Sequence, residues 1–155
     1  MGLFFFPLLG LIALWISYQD IRYGRIPNLA LIALGFLLCW HYGHIFQKDA
    51  TLSALLPLLL SGLLGLSLVG VFLFLPKYRS FVGAGDLKLF CLACFFVPLE
   101  TLPFFLITSG VLGGLWAVVY KKKTSPQKTF PLGPALMFAL VGVVGFARVS
   151  SLSRL

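Results

Sequence analysis

The sequence predicts an all-α fold, a polytopic membrane protein of about six transmembrane helices, on three observations. Of its 155 residues, 60% are hydrophobic and only 10% are charged, where a soluble domain carries about 25% charged residues. The mean hydropathy is +1.04. The apolar residues fall in membrane-length runs, and the basic residues gather in short loops between them. The chain reads as a single domain, 1–155, with no separate soluble part. A formal charge of +8 taken alone would suit nucleic-acid binding. Its scatter through short loops points instead to orientation signals against a lipid bilayer.

The predicted spans are 3–19, 28–46, 52–75, 87–98, 102–120 and 131–149. The first has neither a basic leader nor an A-x-A-like cleavage site, so it is expected to be a retained span. Ile26-Pro27-Asn28 opens the second, with Pro27 fixing φ and Asn28 as the expected cap. Ser61 and Gly65 in the third, and Gly110-x-x-x-Gly114 in the fifth, are small-residue spacings that suit close helix packing. The fourth is short. From Leu87 to Pro98 it rises about 18 Å against a hydrocarbon core of about 30 Å. Such a helix must thin the bilayer or start below its surface, which would hold Asp86 within the membrane's depth but near water. No internal repeat is present.

Loop charges set the expected orientation. With the first loop cytoplasmic, that side collects Arg22, Arg25, Lys77, Arg79, Lys88, Lys121, Lys122, Lys123 and Lys128, leaving Lys48, Arg148 and Arg154 opposite. Both termini then lie outside. Asp20 and Asp86 share the cytoplasmic face, and Asp49 and Glu100 share the other. The lysine-rich loop 121–128 is expected to meet anionic headgroups, and Trp40, Tyr42, Trp116 and Tyr120 are expected in interfacial belts. Cys39, Cys91 and Cys94 all lie in apolar runs. Cys91-x-x-Cys94 is half a metal motif without two further ligands nearby, so the thiols are expected to be packing residues and no metal is expected.

Asp20 and Asp86 stand out because the chain holds only four acidic residues and a carboxylate near hydrocarbon is costly. Gly83-Ala84-Gly85 leaves the backbone open immediately before Asp86, so that an extended substrate strand can lie against it. The same residues also describe a flexible turn with an acid at a helix start. Asp20 in turn has a bland reading as an interfacial partner of Arg22 or Arg25. If the two carboxylates approach within about 4 Å, their repulsion is about 4 kcal/mol at an effective dielectric of about 20. The second ionisation then rises from about 4 to about 7, and the pair shares a proton near neutrality.

Asp20-x-Arg22…Ile26-Pro27-Asn28 and Gly83-x-Gly85-Asp86-x-Lys88-Leu89 resemble the two signatures of the type IV prepilin leader peptidases, which are GxGD aspartyl proteases. Phe130-Pro131-Leu132-Gly133-Pro134 is similar to that family's Pro-x-Gly-Pro segment before the last span. The resemblance implies that Asp20 and Asp86 are the catalytic pair. It further implies that Gly83, Gly85, Lys88, Arg22, Pro27, Asn28, Pro131, Gly133 and Pro134 shape the site or bind substrate. Lys88 equally suits an orientation anchor. The implied substrate is a prepilin or pseudopilin in the inner membrane, cleaved on the cytoplasmic side after the glycine that ends a short basic leader. No cofactor is implied. Longer members carry an N-terminal segment with paired CxxC motifs, linked to N-methylation; it does not precede Asp20 here, so a peptidase-only form is expected. Two other classes remain open on the residues alone. One is an ion-pathway or transporter subunit with relay aspartates, although such sites favour the midplane between repeats. The other is a non-catalytic assembly subunit of a membrane complex.

Overall fold

The computed structural model describes residues 2–48, 52–74, 83–121 and 131–152. These residues form six helices: α1 Gly2–Tyr23, α2 Asn28–Lys48, α3 Leu52–Phe74, α4 Ala84–Phe96, α5 Leu102–Lys121 and α6 Gly133–Leu152. Among the described residues, three segments are long and apolar enough to cross a membrane: Phe4–Tyr23, Asn28–Gln47 and Leu102–Val119. Leu55–Val71 and Gly133–Phe146 are shorter apolar segments. Asp49, Lys77, Arg79, Lys122, Lys123, Lys128, Phe130 and Arg154 lie outside the described residues.

α4 and α6 form the centre of the bundle. α6 packs against α1, α4 and α5, while α4 packs against α2, α3 and α6. The core residues include Leu9, Ile16, Leu34, Leu89, Phe96, Phe105, Met137 and Leu140, all essentially inaccessible. Leucine against leucine gains little over leucine against lipid, so close packing and interhelical hydrogen bonds must hold these helices together. The α3–α4 seam has both. A Cβ on Gly62 would fall 2.1 Å from the Phe95 ring, and one on Gly65 would fall 2.6 Å from Cys94 Cβ. Beside them Ser61 Oγ lies 2.8 Å from the Leu58 and Cys94 carbonyls and 2.5 Å from that of Val97. A single hydroxyl donates to one of these acceptors at a time.

The two small-residue spacings differ in what they meet. Ser61 and Gly65 form the tight seam, whereas Gly110 and Gly114 face open space, where an added Cβ would meet no atom within 4 Å. The Tyr42 hydroxyl donates to the Phe95 carbonyl at 2.9 Å and ties α2 to α4. Cys94 is buried in the α3–α4 seam, while Cys39 is exposed.

Candidate functional site

Asp20 is buried because the helix that carries it continues. The expected first span ends at residue 19, but α1 runs on to Tyr23. Its buried stripe, Leu9, Ile12, Ala13, Ile16, Ser17 and Asp20, follows the three- and four-residue spacing of one helix face. Asp20 is therefore the last member of a core-facing stripe, 3% exposed. One turn on, Gly24 adopts φ 63°, its N–H donating to the Asp20 carbonyl at 2.8 Å, and α1 ends.

The partner of Asp20 is the start of α6. The Gly133 N–H donates to Asp20 Oδ2 at 2.8 Å. The first N–H groups of a helix have no partner within it and carry the positive end of its dipole, so they suit a carboxylate. Pro134, the next residue, has no N–H to offer, which leaves Gly133 to make the contact. A Cβ at residue 133 would lie 2.7 Å from Asp20 Oδ2 and 3.2 Å from Cγ, so this approach requires glycine. Pro131 and Pro134 are both buried around it.

Asp86 sits in the first turn of α4, on the buried face that continues through Leu89 and Ala93 to Phe96. It is 7% exposed, and its Oδ1 has no hydrogen-bond partner. Leaving a buried acceptor unpaired costs about 1–3 kcal/mol, a cost seldom kept without a use. Asp86 lies within range of the negative charge of Asp20 and takes a backbone hydrogen bond from Gly83.

Gly83 is extended, with φ −65°, and Ala84 and Gly85 already belong to the helix. The two glycines serve close approach. A Cβ on Gly83 would lie 3.1 Å from Asp86 Oδ2, and one on Gly85 would lie 3.1 Å from Ile26 Cβ. That second contact sets the α1–α2 connection against the start of α4. Thus Ile26 with Gly85, and Gly133 with Asp20, draw both aspartates to one end of the bundle.

The other anticipated residues lie around this centre rather than in it. Arg22 does not pair with Asp20. It donates to the Tyr18 hydroxyl and lies 5.7 and 5.6 Å from the ring centroids of Tyr18 and Tyr23, since residues two apart on a helix face different ways. Lys88 is exposed. Asn28 is the first residue of α2 rather than its cap; the Pro27 carbonyl accepts the N–H of Ala30 at 3.0 Å and of Leu31 at 3.3 Å. Pro27, Asn28 and Arg25 line an open hollow of about 710 Å³ that includes neither aspartate. A second hollow of about 310 Å³ does include Asp86, with Leu68, Val69, Leu87, Phe90, Leu132 and Leu136. Sequence reasoning missed those leucines, because in so apolar a chain nothing separates a pocket leucine from a lipid-facing one.

The sequence model of the type IV leader peptidase family matches residues 7–118. The chain belongs to the type IV leader peptidase family. That match takes in Asp20, the Ile26-Pro27-Asn28 turn and the Gly83–Asp86 element; the leader-peptidase match stops before Gly133, which the fold brings to Asp20. Neither the curated proteins nor the solved structures give a match to the chain. As a leader peptidase it is a hydrolase of the membrane, in keeping with its apolar helices.

Proposed function

We infer that the chain is an aspartyl endopeptidase of the inner membrane that removes the short basic leader from type IV prepilins or pseudopilins on the cytoplasmic side, with Asp20 and Asp86 as its catalytic pair. The observation that carries this reading is that two buried carboxylates stand at one end of the bundle in unlike surroundings, one held by the α6 N-terminus and one with an unpartnered oxygen.

Unlike surroundings give the two acids unlike roles. Asp20, accepting the Gly133 N–H, is the carboxylate that takes a proton from water. Asp86 holds the shared proton and donates a hydrogen bond to the scissile carbonyl oxygen. The water oxygen bonds to the carbonyl carbon, giving a tetrahedral intermediate. Its collapse breaks the C–N bond, the leaving nitrogen takes a proton, and the products are a leader carboxylate and a new amino terminus. The relay-subunit and assembly-subunit readings ask for no such asymmetry.

The test is processing of a co-expressed prepilin. Asp20→Asn and Asp86→Asn should each stop cleavage while the protein stays in the membrane, and Asp49→Asn and Glu100→Gln should process normally. Cleavage by either of the first pair at the normal rate overturns the assignment. The wild-type rate should also follow a bell in pH. A pair that works with one shared proton loses its base when both acids are protonated and its acid when neither is, so activity falls on both sides of the optimum. A profile flat from about pH 5 to 9 contradicts the shared proton.

A further inference from the structure

The helices that carry the two aspartates share neighbours more than a seam. α1 packs chiefly on α6 and α2, and α4 chiefly on α3, α6 and α2. The connection 24–27 brings the Asp20 end of α1 up to the Asp86 end of α4, and its composition makes it stiff. Gly24, at φ 63°, ends α1 one turn after Asp20, and Pro27 fixes φ at the entry to α2. Between them Ile26 is confined twice. Pro27 after it disfavours helical backbone, and its own branch at Cβ favours the extended form and restricts χ1. Gly24 and Arg25 are exposed, whereas Ile26 is half-buried and packs against the core.

Ile26 meets α4 through its stem rather than its tip. A Cβ on Gly85 would fall 3.1 Å from Ile26 Cβ, 3.5 Å from Cγ1 and 3.7 Å from Cδ1. The tip of a side chain can swing aside, but a Cβ moves only with its backbone. Gly85 adjoins Asp86 in the first turn of α4, which the Asp86 N–H closes on the Gly83 carbonyl at 3.0 Å. A path of rigid parts therefore runs from Asp20 through Gly24 and Ile26 to Gly85 and Asp86. We propose that Ile26 is a positioning residue for the reaction: seated on Gly85, its branched side chain fixes the spacing of the two aspartates. The inference rests on the peptidase reading above and gives Ile26 no contact with substrate. The Gly133 N–H relates Asp20 to α6; Ile26 relates it to α4. Of the cations nearby, Arg22 is turned to Tyr18 and Tyr23, and Arg25 and Lys88 are exposed, so the acids answer chiefly to each other.

The experiment measures prepilin cleavage in membranes across pH, at matched enzyme content, for wild type and for Ile26→Val, Ile26→Leu and Ile26→Ala. Ile26→Val keeps the branch and the atoms nearest Gly85, Ile26→Leu keeps the size without the branch, and Ile26→Ala empties the seat. A displacement of about 1 Å costs about 100-fold, so Ile26→Ala should lower kcat by about that factor with KM little changed. Freed of the seat, two like charges part, and their repulsion weakens with distance. A parting of about 1 Å from about 4 Å should bring the alkaline limb of the rate profile down by about half a pH unit. Activity should fall in the order Val, Leu, Ala. Leucine is larger and more apolar than valine, so a merely structural role puts Ile26→Leu above Ile26→Val, and that order overturns the proposal. So does an Ile26→Ala enzyme with wild-type kcat, or one whose loss leaves the alkaline limb in place. If Ile26→Ala does not accumulate in membranes, the order of the other two variants and their alkaline limbs decide. None of these results touches the peptidase reading while wild type cleaves and Asp86→Asn does not. If wild type cleaves nothing, that reading falls, and the positioning role with it.

Discussion

Asp20 and Gly133 meet although more than a hundred residues separate them in the chain, and the contact leaves no room for a methyl group. A side chain at residue 133 must push Asp20 aside or move the start of α6, since the nearest atoms are Asp20 Oδ2 at 2.7 Å, Cγ at 3.2 Å and Cβ at 3.3 Å. Displacing a catalytic group by about 1 Å costs about 100-fold in rate. Gly133→Ala should therefore lower prepilin processing by about that factor while the protein still reaches the membrane in normal amount. Immunoblots of processed and unprocessed substrate against membrane content would measure both. A variant that processes normally would show that the Gly133 N–H does not hold Asp20 in its working position. At Gly85 the nearest neighbour is the Ile26 side chain, its Cβ at 3.1 Å.

Among the helices, α3–α4 is the seam where small residues matter most. Gly65→Ala places a methyl 2.6 Å from Cys94 Cβ, which is not the end of a flexible chain. Overpacking of this kind costs about 1–3 kcal/mol. Thermal unfolding in detergent should show Gly65→Ala less stable than wild type, while Gly110→Ala, open to space among the described residues, should match it. Equal stability of the two variants would mean that the seam is looser than its geometry implies. Hydropathy anticipated all six helices, because length and composition mark a span without any tertiary information. What it did not anticipate was which faces meet. Leucines such as Leu63 and Leu64 are exposed while Leu58 is buried, and all sit in one apolar run with no contrast between lipid and protein sides. The aspartates escaped that ambiguity, since an acid in such a run needs an explanation, and the glycine-rich turn before Asp86 drew notice by composition. Gly133 was anticipated only by its resemblance to a motif; its hydrogen bond to Asp20 is a product of the fold.

At the scale of the whole molecule, α4 decides how the chain lies in the bilayer. Its 13 residues rise about 20 Å, short of a core of about 30 Å, and it is not among the membrane-length segments. If α4 crosses, Lys121, Lys122, Lys123 and Lys128 fall on the same side as Arg22 and Arg25, and both termini face outward. If it does not, α5 carries those four lysines to the outside and the carboxyl terminus turns inward, against the preference of cations for the cytoplasmic face. The buried face of α4, from Asp86 to Phe96, packs among α2, α3 and α6, so most of its length is shielded by protein and a local thinning of the bilayer costs only fractions of a kcal/mol per Å. The charges therefore favour crossing. Alkaline phosphatase, active only outside the cytoplasm, should be active when fused after Leu155 and inactive when fused after Lys123. The opposite pair of results would show that α4 stays on one side.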